Sequence, residues 1–183
     1  LNLIDNSLEG LPDEIGHLTA LQTLYAGQNK LKKLTTSVEK LASLIVLDLN
    51  HNLLQDLPLG LQKCSHLERL SVQNNQFEEC PQVLTSLYSL RFLYLQYNRL
   101  SSLPKNIGSL SKLEDLNASH NQLKGSPDSL GTIGRLETLN LNHNQIEEFP
   151  SPILGMQHLL RLFLSRNDLT KVPSQVFDLP SLI

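Results

Sequence analysis

Asparagine recurs along this chain every 23 residues, and that interval constrains the fold more than any other feature of the sequence. The eight asparagines are Asn6, Asn29, Asn52, Asn75, Asn98, Asn121, Asn144 and Asn167. A fixed period between about 20 and 50 residues is typical of repeat proteins, in which each unit packs only against its neighbours. The sequence therefore predicts eight stacked units rather than one or two globular domains.

Apolar residues hold fixed positions relative to these asparagines. Leucine stands eight residues before the asparagine in every unit that extends that far, and apolar residues stand five and three before it and two and nine after it. The resulting pattern is LxxLxLxxNxLxxLPxxIxxLxx. Its xLxLx segment has the period-two alternation of a short strand, and the later three-residue spacing suits a 3₁₀ or short helical return.

One unit cannot fold alone. Seven buried apolar side chains contribute about 10 to 20 kcal/mol, whereas ordering the backbone costs about 1 to 2 kcal/mol for each residue of the unit. Burial between neighbours must supply the difference, so the strands lie side by side. The expected fold class is α/β: a curved solenoid with a concave parallel β-sheet of about eight short strands, and a convex side of 3₁₀, short helical or irregular segments.

These residues resemble the leucine-rich repeats over essentially the whole chain, since eight consecutive units fit the pattern. Proline follows the second loop apolar position in seven of the eight units, with Thr35 as the exception. The 23-residue LPxxIxxL form is similar to the intracellular Ras-group class, which includes the repeat domains of Scribble and Erbin. In the sixth unit, Leu123-Lys124-Gly125-Ser126-Pro127 instead resembles the LxGxIP signature of the extracellular plant form.

We expect residues 1–183 to form a single leucine-rich-repeat domain of eight repeats. Leu1 lies five residues before the first asparagine and Ile183 lies sixteen after the last, so both ends fall inside a unit. No polar capping element is visible at either end, although the ends of a solenoid need one for solubility. The expectation is therefore a fragment of a longer array whose caps are missing.

The charge and hydropathy of the chain argue against two classes of partner. The 15 Lys and Arg are outnumbered by the 18 Asp and Glu, and no basic stripe could neutralise a phosphate backbone. No apolar run approaches the roughly 18 residues of a membrane span, and the chain opens with Leu1-Asn2-Leu3 rather than a secretory leader. We expect neither nucleic-acid binding nor membrane insertion.

The two cysteines favour a reducing compartment. Cys64 and Cys80 occupy apolar columns in the middle of the array, without CxxC spacing, so each is interpreted as a small buried hydrophobe. The sequon Asn117-Ala118-Ser119 points the other way, but it lies on a predicted strand and such short matches are common. The expected localisation is cytoplasmic.

No pattern in the chain supports catalysis, a cofactor or a metal. His51, His120 and His143 each precede an asparagine of the repeat, but only two imidazoles stack on adjacent coils and no third ligand joins them. No serine or cysteine has an identifiable base beside it, and glycine-rich phosphate loops are absent. We expect a protein that is not an enzyme.

The eight asparagines themselves are predicted to be structural. An asparagine amide tolerates tight turns and offers two donors and an acceptor, enough to bond the backbone of its own coil and the next. We call these eight residues the asparagine ladder.

Aromatic residues carry most of the functional information. Five of the nine are predicted to project from the concave sheet or to begin its flanking loop, and charges of both signs lie beside them. Aromatic anchors flanked by both charge signs suit a folded protein partner. The predicted partner-binding residues are Tyr25, Asp48, Arg69, Phe92, Tyr94, Gln96, Tyr97, Arg99, Asp115, Arg161 and Phe163. The alternative is that aromatics simply favour strands, and that the binding face lies elsewhere.

The leading functional hypothesis is a non-catalytic interaction scaffold or adaptor that binds a protein on its concave face. The family resemblance implies small GTPases or phosphatases as partner classes. Two alternatives remain open: a targeting or regulatory arm of a multidomain signalling enzyme such as a kinase, phosphatase or GTPase, and a receptor-type ectodomain.

Overall fold

A computed structural model describes all residues, 1–183, as a continuous stack of coils joined by one parallel sheet. Seven strands pair in chain order, and each residue faces the one 23 positions later. The first unit contributes only an isolated bridge between Asn2 and Tyr25. The strands are β1 (Thr23–Tyr25), β2 (Val46–Asp48), β3 (Arg69–Ser71), β4 (Phe92–Tyr94), β5 (Asp115–Asn117), β6 (Thr138–Asn140) and β7 (Arg161–Phe163).

A short 3₁₀ helix forms the return side of every unit. The helices are η1 (Asp13–His17), η2 (Thr36–Lys40), η3 (Leu59–Lys63), η4 (Gln82–Ser86), η5 (Ile107–Ser109), η6 (Asp128–Thr132), η7 (Ser151–Gly155) and η8 (Ser174–Asp178). Proline precedes most of them, where its fixed φ favours entry into the helix. Thr35 replaces this proline before η2, and its hydroxyl instead accepts a hydrogen bond from the Ser37 N–H. The predicted solenoid architecture is confirmed.

The apolar columns form one continuous core of 43 buried residues between the sheet and the 3₁₀ helices. Phe77 is its largest fully buried side chain. Cys64 is buried and Cys80 half-buried, and loss of solvation raises the pKa of the Cys64 thiol to about 11 and that of Cys80 to about 12. Both therefore stay protonated at neutral pH. Ser126 departs from its apolar column, and its buried Oγ has no hydrogen-bond partner.

The asparagine ladder connects each coil to the one before it. The Asn98 Nδ2 donates to the carbonyl of Leu95 in its own coil at 2.9 Å and to that of Val72 in the preceding coil at 3.1 Å. Its Oδ1 accepts from the Phe77 N–H at 3.1 Å. The same pattern recurs along the array, and the Leu95 carbonyl also accepts from Asn121 at 3.1 Å. The amide of Asn98 thus bonds backbone groups of two successive coils.

The residue before each ladder asparagine adopts a left-handed backbone. These residues have φ between 49° and 57° and are Asp5, Gln28, His51, Asn74, Tyr97, His120, His143 and Arg166. A non-glycine residue in this region costs about 1 to 2 kcal/mol, so the surrounding structure must hold it there. The backbone helps to do so: the His120 N–H donates to the Asn142 carbonyl at 2.9 Å. This bend turns the chain out of the sheet at the same point in every unit.

The ladder predicts that an asparagine inside the array contributes more to stability than the exposed asparagine of the first unit. Replacing Asn98, which is 8% exposed, by alanine leaves the Phe77 N–H without its acceptor. We expect Asn98→Ala to lower the free energy of unfolding by about 1 to 3 kcal/mol. Chemical denaturation measures this change. Asn6→Ala is the matched control, because Asn6 is exposed and bonds only its own coil; equal losses in the two variants would contradict the bridging role.

Candidate functional site

The concave face is built from the outer residues of each strand. The middle residue of every strand points into the core, and its two neighbours project from the sheet. Because the strands pair in a 23-residue register, equivalent side chains align in columns across the sheet. One column carries Arg69, Phe92 and Asp115, and a second carries Tyr94 and Asn117.

Arg69, Phe92, Tyr94 and Asp115 form a connected group, which we call the aromatic cluster. The Arg69 guanidinium lies 4.3 Å above the centroid of the Phe92 ring, and its Nη1 donates to the Tyr94 hydroxyl at 3.3 Å. The Tyr94 hydroxyl donates to Asp115 Oδ2 at 3.4 Å. Cation–π and hydrogen-bond contacts therefore hold two aromatic rings in place on strand β4.

The protonation states within the aromatic cluster support these contacts. Burial raises the pKa of Asp115, while the hydrogen bond from Tyr94 and the charges of Arg161 and Arg69 lower it. Burial also raises the pKa of Tyr94, and the charge of Asp115 adds to the effect. The Tyr94 hydroxyl therefore stays protonated at neutral pH and donates a hydrogen bond to the carboxyl group of Asp115.

A second charged side chain supports the cluster from the flank of the sheet. The Arg91 guanidinium lies 5.4 Å from the Phe92 centroid and binds both carboxylate oxygens of Glu114, at 2.8 and 3.0 Å. Glu68 lies 3.6 Å from the same guanidinium. Our sequence reasoning missed Arg91, although Glu68, Arg91 and Glu114 share one column at 23-residue intervals.

Three rings stack along the edge where the strands end. Tyr97 and His120 have centroids 4.1 Å apart, His120 and His143 have centroids 3.9 Å apart, and both pairs are close to parallel. All three occupy the left-handed position, which aims them in the same direction. We call this group the ring stack. The sequence indicated the stacking of the two histidines but not that Tyr97, which is 51% exposed, extends the stack toward the aromatic cluster.

The remaining predicted partner-binding residues make no side-chain hydrogen bond or ring contact with these two groups, although the charge of Arg161 acts on Asp115. Tyr25 and Phe163 are exposed on β1 and β7, near opposite ends of the sheet. Asp48 on β2 accepts from Asn50, and Arg161 on β7 donates to Thr138 Oγ1 at 3.1 Å.

Gln96 and Arg99 follow β4 in the chain and differ in their surroundings. The Oε1 of Gln96 is buried without a hydrogen-bond partner. The exposed Arg99 side chain lies 3.9 Å from Glu78 in the loop that follows the sheet. A pair this exposed contributes little to stability.

The sequon lies within the sheet rather than in a surface loop. Asn117 belongs to β5, and its Oδ1 accepts from both the backbone N–H and the hydroxyl of Ser119, at 3.1 and 2.7 Å. Ser119 is 4% exposed. These contacts give the three residues a structural explanation that does not involve glycosylation.

The surface offers little that resembles a small-molecule or metal site. No group of three or more His, Cys, Asp and Glu side chains is placed to hold a metal ion. One depression lies beside Cys80, away from the concave sheet, and acidic side chains such as Asp56, Glu78 and Glu79 line it. Small-molecule pockets are usually mostly apolar. None of the helices has the length and apolar character needed to traverse a bilayer.

Comparison with protein families identifies the class of protein. A family described as "Leucine rich repeat" matches residues 65–123 and 88–146, and one described as "Leucine Rich repeats (2 copies)" matches residues 42–86. Together these matches span more than half of the chain. The chain belongs to the leucine-rich-repeat family. A search of curated proteins found no significant match.

Solved structures give the same fold. The chain is similar to a leucine-rich-repeat protein of Leptospira interrogans, with 36% identity, a TM-score of 0.95, and coverage of 97% of this chain and 45% of that one. It is also similar to a plant peptide hormone receptor in complex with its peptide, with 28% identity and a TM-score of 0.84 over 99% of this chain and 30% of the receptor. The chain thus spans less than half the length of either relative.

The ring stack predicts a measurable pH response. Burial first, and then the charge of His143, lowers the pKa of His120 below its usual 6.5. Folded His120 binds a proton less readily than His120 of the unfolded chain does. The free energy of unfolding is therefore unaffected by this residue above pH 6.5 and declines as the pH falls below 6.5. An NMR titration of the imidazole resonances should show this depressed pKa.

The same titration in a His143→Gln variant measures how much the charge of His143 contributes to the lowered pKa of His120. Removing the neighbouring charge should raise the pKa of His120 toward 6.5. His17→Gln serves as the control, because His17 lies in η1, far along the chain from the stack. If His120 titrates at its ordinary value in the wild-type chain, the proposed coupling within the ring stack is wrong.

Proposed function

We propose that this chain is a non-catalytic protein-binding module, and that its concave face binds the partner at the aromatic cluster and the ring stack. The proposal treats residues 1–183 as one domain and one segment of a Ras-group, Scribble- or Erbin-like scaffold or adaptor acting in the cytoplasm. The eleven residues selected from the sequence form the proposed surface, with the aromatic cluster and Tyr97 at its centre.

One observation carries this proposal: aromatic side chains lie grouped and partly exposed on one face of a rigid sheet. Phe92 is held between Arg69 and Arg91, and the Tyr94 hydroxyl is hydrogen-bonded, so both rings are positioned before any partner arrives. Tyr97 lies beside them with half its surface exposed. Ordered, partly exposed aromatics with arginine nearby are the usual anchors of protein interfaces.

Rigidity supplies the mechanism of binding. Each concave side chain projects from a strand whose central residue is buried and whose following turn is bonded by the asparagine ladder. Binding therefore orders few additional groups, which reduces the entropic cost of association. Different side chains can occupy the same outward positions without altering the leucine core.

The charge pattern supports a folded or peptide partner over a polyanion. Arg69 and Asp115 lie on either side of Phe92 in one column, and Arg161 extends the same column beyond them. A partner with complementary charges of both signs would be oriented by this arrangement. Small GTPases and phosphatases are candidates through the resemblance to the Ras-group class alone.

A receptor-type ectodomain is the second candidate function. The observation that favours it is the similarity of the whole chain to a plant peptide hormone receptor in complex with a peptide. The LxGxIP-like string in the sixth unit agrees with that alternative. Sequencing the transcript on both sides of the present residues separates the two, because an ectodomain requires a leader peptide and cysteine-rich caps.

The concave face is tested by substitution and affinity capture. We expect the variant Phe92→Ser, Tyr94→Ser, Tyr97→Ser to lose most of the proteins that the wild-type chain captures from a cell lysate, with an unchanged circular dichroism spectrum. Removing interface anchors typically costs about 2 kcal/mol or more each. Quantitative mass spectrometry of the captured proteins measures the loss.

The control removes aromatics that are more exposed and lie on the opposite side. Tyr88 and Phe177 are exposed on the return side, so Tyr88→Ser with Phe177→Ser tests whether surface aromatics alone account for capture. Recovery of the same proteins by the concave variant and the wild type would reject the concave face. Loss with the control variant alone would place binding on the return side.

A further inference from the structure

The column of residues that precede the ladder asparagines is interrupted at one position. Tyr97, His120 and His143 fill three successive places in this column with stacked rings. His51 supplies a further ring two coils before Tyr97, and Asn74 lies between them in the same left-handed conformation. The Asn74 side chain ends at its amide, so no ring occupies the space between His51 and Tyr97. We call His51, Asn74 and Tyr97 the notch.

The width of the notch suits one planar group. Adjacent coils lie about 4.8 Å apart, so His51 and Tyr97 leave the backbone about 9.6 Å apart. A planar group halfway between them would lie about 5 Å from each ring, within the range of stacking and cation–π contacts. Within the ring stack, single coils separate the ring centroids by 4.1 and 3.9 Å. One planar group therefore continues the stacking across the notch.

The rings on the two sides of the notch are accessible from solvent. His120 covers one face of Tyr97, so the other face is directed toward the preceding coil, where Asn74 lies. Tyr97 is 51% exposed, and His51 is exposed as well. A ligand that enters from solvent can therefore contact both rings.

Three amide oxygens on the coils of the notch receive no hydrogen bond within the protein. The Asn74 side chain is half-buried, and only its backbone groups are hydrogen-bonded. Gln73 and Gln96 precede Asn74 and Tyr97 in the chain, and the Oε1 of each is buried without a donor. A ligand that complements these oxygens must donate hydrogen bonds.

The charges on the same coils favour a cation. The Asp48 carboxylate, on the first coil of the notch, is hydrogen-bonded only within its own coil. The guanidinium groups on the other two coils already have partners, since Arg69 stacks on Phe92 and Arg99 lies 3.9 Å from Glu78. One carboxylate therefore remains available to a cation from outside the protein.

An arginine side chain combines these properties. Its guanidinium is planar, always charged, and carries five N–H donors and no acceptor. Lysine lacks the planar group, and phenylalanine lacks both the donors and the charge. The protein itself contains an example of the contact, because the Arg69 guanidinium lies 4.3 Å from the centroid of the Phe92 ring.

We propose that the notch binds one arginine side chain of the protein partner, inserted between the rings of His51 and Tyr97. The face of Tyr97 stacks on the guanidinium, and the Asn74 Oδ1 accepts a hydrogen bond from it. The inference rests on the proposed function and specifies one side chain of the partner. It also adds His51 and Asn74 to the binding surface, neither of which is among the eleven residues selected from the sequence.

An NMR titration with N-acetyl-arginine amide tests the notch without the partner. We expect saturable shifts of the Asn74 side-chain amide and of the His51 and Tyr97 ring resonances. N-acetyl-citrulline amide has nearly the same shape without the charge, and N-acetyl-lysine amide has the charge without the planar group. Both should bind about tenfold more weakly than the arginine compound.

Substitutions at Asn74 change the notch without introducing a residue foreign to this position. Asn74→His fills it with the ring that three other units carry there, and should weaken arginine binding by about tenfold. Asn74→Asp keeps the size of the side chain, adds a carboxylate, and should tighten binding by about threefold or more. Arg166→His adds a ring to the same column three coils beyond Tyr97 and should leave the affinity unchanged. Circular dichroism melting verifies the fold of each variant.

The notch is rejected if no saturable shifts occur, if the arginine and citrulline compounds bind equally, or if Asn74→His binds as the wild type does. The proposed function fails separately, if the substitutions at Phe92, Tyr94 and Tyr97 leave protein capture intact. Capture that depends on those three residues but is equal for the wild type and Asn74→His would retain the concave face and reject an arginine of the partner in the notch.

Discussion

The hydrogen bonds of the asparagine ladder are the interaction on which the rest of this structure depends. Each interior amide donates to carbonyls of two successive coils and accepts from a backbone N–H of the earlier coil, as Asn98 does with Leu95, Val72 and Phe77. An unpaired polar group at this depth would be costly. The ladder therefore does more than satisfy the turn: it fixes the distance and register between neighbouring units.

That register gives the concave face its chemistry. Because every unit repeats after 23 residues, side chains far apart in the sequence become neighbours in a column, as Arg69, Phe92 and Asp115 do. The left-handed turn before each ladder asparagine aligns a further column, which brings Tyr97, His120 and His143 into one stack. The core and ladder thus determine where side chains lie, and the variable residues determine what they can bind.

The parts that the sequence could predict are those that recur in every unit. The strand positions, the buried leucines and the bridging asparagines follow from period and burial alone, and the columns of Arg69, Phe92 and Asp115 follow from the register. The left-handed conformation of Tyr97 could not be derived from the sequence, because tyrosine does not favour that region and the surrounding hydrogen bonds impose it.

Contacts between individual side chains could not be predicted from the sequence either. The two-oxygen contact of Arg91 with Glu114 and the inward-facing oxygens of Asn117 and Asn140 depend on rotamers that the repeat pattern does not specify. The first unit shows a different limit. Its pattern predicts a strand, yet only Asn2 forms a bridge, because each strand lies six to four residues before its ladder asparagine and the first unit contains only Leu1 and Asn2 of these positions.

The central claim is that the ladder and core hold the fold independently of the side chains on the concave face. Amide hydrogen exchange tests it most directly, in the wild-type chain and in one carrying serine at Phe92, Tyr94, Tyr97, Asn117, Asn140 and Phe163. The N–H groups of Leu54, Phe77, Leu100 and Leu123 donate to ladder asparagines. We predict that they remain among the slowest to exchange in both chains. Rapid exchange at these positions in the substituted chain would contradict the claim.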